Sequence, residues 1–122
     1  MSKIKVAING FGRIGRVFTR AVIDDPSIEI VAVNDLVESS TLVHLLKYDS
    51  IHGRLNKTVT CSESDILIDD HLIKVFNEKD PENLPWEELG IDVVVESTGF
   101  FRSKSGAHKH INAGAKKVII SA

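Results

Sequence analysis

Three glycines and one acid carry the most legible chemistry in this sequence. Gly10, Gly12 and Gly15 are spaced G-x-G-x-x-G within residues 3–16, and Asp35 follows 20 residues after Gly15. Glycines in this spacing suit a loop that sets bare backbone against a pyrophosphate. Gly10 permits a tight turn, Gly12 leaves the approach open, and Gly15 lets a following helix lie close to the preceding strand. A helix start at this point offers unpaired N–H groups and partial positive charge, which hold phosphates without a lysine. A carboxylate at Asp35 accepts hydrogen bonds from ribose hydroxyls and repels a 2′-phosphate, so the reading is NAD rather than NADP. Leu36 and Val37 follow Asp35, and no arginine adjoins it.

The elements that must position these residues are also legible. Residues 4–8, Ile-Lys-Val-Ala-Ile, form a short β-branched run of strand character that breaks at Asn9-Gly10. From Ile14 the period changes: Ile14, Val17, Phe18, Ala21 and Val22 fall on one helical stripe. Asp25-Pro26-Ser27 is a turn, and residues 28–33 are a second strand ending at Asn34-Asp35. Ser39 is placed to cap a short helix with Leu42, Leu45 and Leu46 as its buried stripe, and residues 48–54 read as a polar loop. Residues 58–61, 66–68 and 72–76 read as three short antiparallel strands, an insert in the βαβ repeat. A proline-punctuated connection and at most one helical turn, residues 86–90, precede a strong strand at 91–95. That strand stops at Glu96-Ser97-Thr98-Gly99. Ser103 is placed to cap a helix over 104–113, ended by Gly114, and 118–120 is the last strand.

The implied fold is α/β: a doubly wound, Rossmann-type, mostly parallel sheet with a short antiparallel insert, spanning residues 1–122 as one NAD-binding domain. In such sheets ligands bind beyond the carboxyl ends of the strands. Asn9 to Ile14, Asn34-Asp35, Ser97-Thr98-Gly99 and Ser121 therefore converge on one edge, supplying backbone N–H groups, small hydroxyls and an acid.

Composition narrows the function classes. The 122 residues are 43% hydrophobic and 26% charged, ordinary for a globular protein. A net charge of −2 argues against a broad nucleic-acid footprint. No apolar run reaches the roughly 20 residues of a membrane span, and the N-terminus lacks a signal-peptide layout. The single cysteine fits a reducing cytoplasm. Cys61 lies in Thr-Val-Thr-Cys-Ser-Glu, without the cationic or helix-terminal neighbour that a reactive thiolate needs, and reads as structural. The five histidines show no metal-ligand spacing, and no metal is expected. His108 and His110, with Lys104, Lys109, Lys116 and Lys117, read as a solvated, mildly basic helix face. A cofactor site is thus visible, and no catalytic set.

Taken together, these motifs resemble one family. Asn9-Gly10-Phe11-Gly12-Arg13-Ile14-Gly15-Arg16 is similar to the N-terminal motif of glyceraldehyde-3-phosphate dehydrogenases, in bacterial style. So are Val33-Asn34-Asp35-Leu36, Leu46-Lys47-Tyr48-Asp49-Ser50 with His52-Gly53-Arg54, Asp80-Pro81-Glu82-Asn83-Leu84, Glu96-Ser97-Thr98-Gly99 and Gly114-Ala115-Lys116-Lys117-Val118-Ile119-Ile120-Ser121-Ala122. The resemblance covers nearly the whole chain and implies roles. Backbone N–H groups of Arg13 and Ile14 meet the pyrophosphate, and Asp35 holds the adenosine ribose. Lys79 stands where many members have an arginine whose backbone contacts the adenine. Thr98, Gly99 and Phe100 line the adenine side, and Ser121 approaches the nicotinamide amide. The loop at 48–54 faces a neighbouring subunit of the family's homotetramer.

The family's nucleophilic cysteine, histidine base and phosphate-binding residues are expected after Ala122, and Cys61 does not match the Ser-Cys-Thr-Thr-Asn context of that nucleophile. The full-length enzyme is expected to oxidise glyceraldehyde 3-phosphate through a thiohemiacetal, pass hydride to NAD, and release the thioester with phosphate, a glycolytic step. This chain is expected to hold the cofactor half and to be inactive alone. Two alternatives stay open: the cofactor domain of an erythrose-4-phosphate dehydrogenase, and a non-catalytic, stand-alone dinucleotide-binding module.

Overall fold

A computed structural model describes residues 3–47, 58–98 and 104–120. β1 (Ile4–Asn9) leads into α1 (Arg13–Val22), β2 (Ile28–Asn34) and α2 (Ser39–Lys47). Three short strands follow: β3 (Val59–Ser62), β4 (Asp65–Ile68) and β5 (His71–Phe76). After a 3-10 turn at Pro81–Asn83 come α3 (Trp86–Leu89), β6 (Val93–Glu96), α4 (Lys104–Asn112) and β7 (Lys117–Ile120). One seven-stranded sheet has the order β3-β4-β5-β2-β1-β6-β7. β1 is central, pairing in parallel with β2 on one side and β6 on the other, so chain direction across the sheet reverses beside it.

Side-chain alternation assigns the two faces. Val6, Ile8 and Val95 point to one face, covered by Phe18 and Val22 of α1 and Leu42 and Leu46 of α2. Ala7 and Val94 point to the other, covered by Trp86 of α3 and Ala113 and Ala115 around the end of α4. In β2 the alternation is broken on purpose. Val6 pairs with Ile30 and Ala7 with Ala32, leaving Val31 as an extra residue. Past this bulge, Ala32 shares a face with Ala7, and Asn34 stands beside Asn9 in register. His71 Nε2–H donates to the Ile30 carbonyl at 2.7 Å beside the bulge, bringing in β5. The small Ala7 and Ala32 leave room on their face for the fully buried indole of Trp86.

Several expectations change in detail. The three expected antiparallel strands are present as β3-β4-β5; what the expectation lacked is that β5 also pairs in parallel with β2 and so joins them to the main sheet. The buried stripe of α1 lies one residue further along: Gly15 and Thr19 are buried, Phe18, Val22 and Ile23 pack on the core, and Ile14 is exposed. The cause is Gly15, where a Cβ would stand 2.7 Å from the Gly10 carbonyl oxygen, so this face of the helix lies against the strand–loop backbone. Leu45 is likewise exposed, while Leu42 and Leu46 are buried. Ser39 is the first residue of α2 rather than its cap, since the Glu38 carbonyl already accepts from Thr41 and Leu42 N–H. The expected loop at 48–54 and the Ser103 cap lie outside the described residues.

Gly15→Ala should therefore destabilise the chain by about 1–3 kcal/mol, because backbone must move to admit the methyl. Gly12→Ala, with nothing within 4 Å of its Cβ, should stay within about 0.5 kcal/mol of the parent. Urea unfolding midpoints of the two variants check this ordering.

Candidate functional site

The carboxyl ends of β1, β2 and β6 border a cavity of about 500 Å³. Of the sequence-predicted residues, Asn9, Gly10, Gly12, Asp35, Lys79, Ser97 and Thr98 line it. Arg13 and Ile14 do not line it with their side chains. They open α1, whose first-turn N–H groups have no intrahelical acceptor, and Gly12 at the N-cap supplies no capping side chain. Gly99, Phe100 and Ser121 lie outside the described residues. Asn34, Leu36 and Glu78 are the other lining residues among those described, and they were absent from the predicted binding set.

The glycine loop is held by its neighbours. Gly10 turns with φ +94°, and a Cβ there would fall 2.7–2.9 Å from Thr98. Gly10 N–H donates to the Asn34 carbonyl at 2.8 Å, and Ser97 N–H to the Asn9 carbonyl at 2.9 Å. The Ser97 hydroxyl donates to the Gly10 carbonyl at 2.6 Å, so it serves the loop. Asp35 spans the gap between β2 and the glycine loop. One carboxylate oxygen accepts from Phe11 N–H at 2.8 Å, the other from Val37 N–H at 2.9 Å. Each oxygen keeps a lone pair for a hydroxyl donor. Asn77 ties the loop after β5 to this corner through the Asp35 carbonyl at 2.6 Å.

These features fit the adenosine–pyrophosphate part of a dinucleotide. Gly12 is open, so backbone can meet a phosphate closely. Asp35 keeps acceptor capacity for vicinal ribose hydroxyls, and Glu78, whose backbone pairs with the Asn34 amide, also lines the cavity. Exposed Leu36 gives the cavity an apolar wall. Among the described residues, no group of His, Cys, Asp and Glu is arranged to hold a metal ion. Cys61 is exposed on β3, away from the cavity lining.

Behind the floor lies a buried polar row that the sequence reading missed. Asn34, Asn9 and Glu96 stand side by side across β2, β1 and β6. Asn34 Nδ2–H donates to Asn9 Oδ1 at 2.8 Å, and Asn9 Nδ2–H donates to Glu96 Oε1 at 2.7 Å. His110, expected on a solvated face, is 0% exposed and its Nε2 lies 2.7 Å from the same Glu96 oxygen. Trp86 Nε1–H donates to His110 Nδ1 at 3.0 Å. Thr98 N–H and hydroxyl both donate to Glu96 Oε2, at 3.0 and 2.6 Å. A Glu at a strand end, with a Trp on the helix before it and a His on the helix after it, is a signal that only the fold assembles.

Burial opposes ionisation of Glu96, but the hydrogen bonds from His110, Thr98 and Asn9 outweigh it and hold the carboxyl below the usual glutamate range. A lowered native pKa stabilises the fold above the unfolded value, and that stability is lost as pH falls through the native one. Glu96→Gln should thus cost about 2–4 kcal/mol at neutral pH, since an amide cannot accept from all four donors. The gap from the parent should shrink as pH drops below about 4. Denaturation free energies of the two chains across this range check the expectation; a gap independent of pH contradicts it.

The comparisons with known proteins agree with this geometry. The family described as glyceraldehyde 3-phosphate dehydrogenase, NAD binding domain, matches residues 4–104. The chain is 60% identical over 119 residues to a glyceraldehyde-3-phosphate dehydrogenase of Mycoplasma pneumoniae, covering 98% of this chain and 35% of that protein. It is 57% identical over 119 residues to the enzyme of Geobacillus stearothermophilus, covering 98% and 36%. For the Thermotoga maritima enzyme the identity is 53% over 120 residues, covering 97% and 36%. The chain thus spans about a third of the length of the curated relatives it matches. It belongs to the family of glyceraldehyde 3-phosphate dehydrogenase NAD-binding domains, and the cofactor of that domain is NAD.

Proposed function

We propose that this chain is the cofactor-binding part of a phosphorylating glyceraldehyde-3-phosphate dehydrogenase, a cytoplasmic, homotetrameric enzyme of glycolysis. The observation that carries the reading is Asp35, clasped by Phe11 N–H of the glycine loop and presented to a cavity whose approach at Gly12 is open. NAD, when bound, accepts the hydride from the substrate aldehyde. The residues of this chain hold and orient it. The first turn of α1 faces the pyrophosphate, and Asp35 takes the adenosine ribose hydroxyls. Lys79 and Thr98, both in the cavity lining, serve the adenine end, and the family resemblance assigns Gly99 and Phe100 to the adenine side and Ser121 to the nicotinamide. Glyceraldehyde 3-phosphate and phosphate belong to a catalytic part that the relatives' greater length accommodates. Ile119 and Ile120, 54% and 43% exposed on the edge strand β7, are apolar surface for that part to cover.

NAD and ADP-ribose should bind this chain with similar affinity in calorimetric titrations, since the adenosine end supplies most of the contacts. Asp35→Ala should weaken both by about tenfold or more, the loss of one or two hydrogen bonds to a charged acceptor. A folded Asp35→Ala chain with parent affinity would contradict the ribose assignment.

A further inference from the structure

Glu96, His110 and Trp86 do not line the cavity, yet the bonds that run from the indole through the imidazole and the carboxylate to Asn9 take one direction; the Asn9 Nδ2–His110 Nε2 approach at 3.3 Å is then the contact of two donors that share Glu96 Oε1. An indole nitrogen donates only, so His110 Nδ1 is an acceptor and the ring proton sits on Nε2. That Nε2–H is aimed at Glu96 Oε1. The carboxylate therefore receives two donors on each oxygen, His110 and Asn9 on one and the Thr98 N–H and hydroxyl on the other. With its nitrogen committed to Glu96, the Asn9 amide must present Oδ1 to Asn34. The Asn34 amide is fixed in turn: its Oδ1 accepts from Glu78 N–H at 2.9 Å and its Nδ2–H donates to the Glu78 carbonyl at 2.9 Å. Two loops of the cavity, after β5 and after β6, are thus referenced to a single buried carboxylate. A carboxylate attracts none of a ligand's phosphates, so its contribution to the cradle is orientation.

We propose that Glu96 and His110 are positioning residues of the dinucleotide cradle, acting through Asn9 and Thr98, with Trp86 holding the His110 ring. The proposal rests on the cavity being the NAD site. Glu96→Gln leaves the shape and turns two of the four donors against an amide NH2, whichever way the amide faces. Trp86→Phe keeps an aromatic ring and removes the N–H that holds His110, at a residue outside the cavity lining.

The test pairs two readouts on this chain: NAD affinity by calorimetry, and amide hydrogen exchange by NMR. Folded Glu96→Gln should bind NAD about tenfold or more weakly. Its Thr98 N–H should lose protection while the core amides of Ile8 and Val94 keep theirs. Parent affinity, or unchanged Thr98 exchange, in folded Glu96→Gln would overturn the proposal; a residue serving stability alone gives that result. If Glu96→Gln does not fold, Trp86→Phe carries the test: a several-fold loss of NAD affinity with faster Thr98 N–H exchange supports the proposal, and parent affinity overturns it. A parent chain that binds no NAD defeats the cofactor-site reading, while Thr98 exchange still decides whether Glu96 positions the cradle.

Discussion

The two oxygens of Glu96 accept four hydrogen bonds inside the protein, and much of the structure is arranged so that they can. A buried carboxylate with fewer partners would cost several kcal/mol. Each partner comes from a different segment: Asn9 from β1, His110 from α4, Thr98 from the loop after β6. The interaction therefore links the central strand, the helix layer on one face and the loop over the glycines. Among the described residues the only buried side-chain polar atom without a partner is Arg20 Nε, so the row itself is fully satisfied.

Two features of the sheet exist in relation to this row. The extra residue at Val31 returns Asn34 to the face of Asn9; without it, the period of two would turn Asn34 to the side of α1 and α2. The alanines at 7 and 32 keep that face shallow, and Trp86 fills the space with its N–H directed at His110. Phe76 meets Trp86 edge-on, ring centroids 6.1 Å apart, from the strand next to Asn34. Among the described residues the opposite face has no such row; there Ile8, Ile30 and Leu46 pack as an ordinary aliphatic core under α1 and α2. The cradle thus has one polar, directional support and one apolar, shape-filling support.

What could be seen in the sequence follows from how local each signal is. Gly10, Gly12, Gly15 and Asp35 declare themselves because a strand, a turn, a helix start and a second strand end must occur at set spacings. Strand positions also read well, since short β-branched runs bounded by turns have few other uses. The double role of β5 was hidden: pairing with β2 is a non-local event, and the run itself looks the same in either orientation. The α1 stripe was misplaced by one residue because hydrophobicity favours Ile14 over Gly15, whereas close backbone approach favours the glycine. His110 was read as solvated because its neighbours in sequence are basic. Its partners are 14 and 24 residues away, and a buried imidazole has no local signature.

The support beneath the cradle depends on the direction of the Trp86–His110–Glu96 chain, which nitrogen-15 NMR of the His110 ring reads out. Nδ1 should be pyridine-type and Nε2 pyrrole-type and protonated, with the lone Trp86 indole N–H strongly protected from exchange. A protonated Nδ1, with a freely exchanging indole, would contradict it: Glu96 would then lack the His110 donor, and the row beneath the cradle would have no fixed direction.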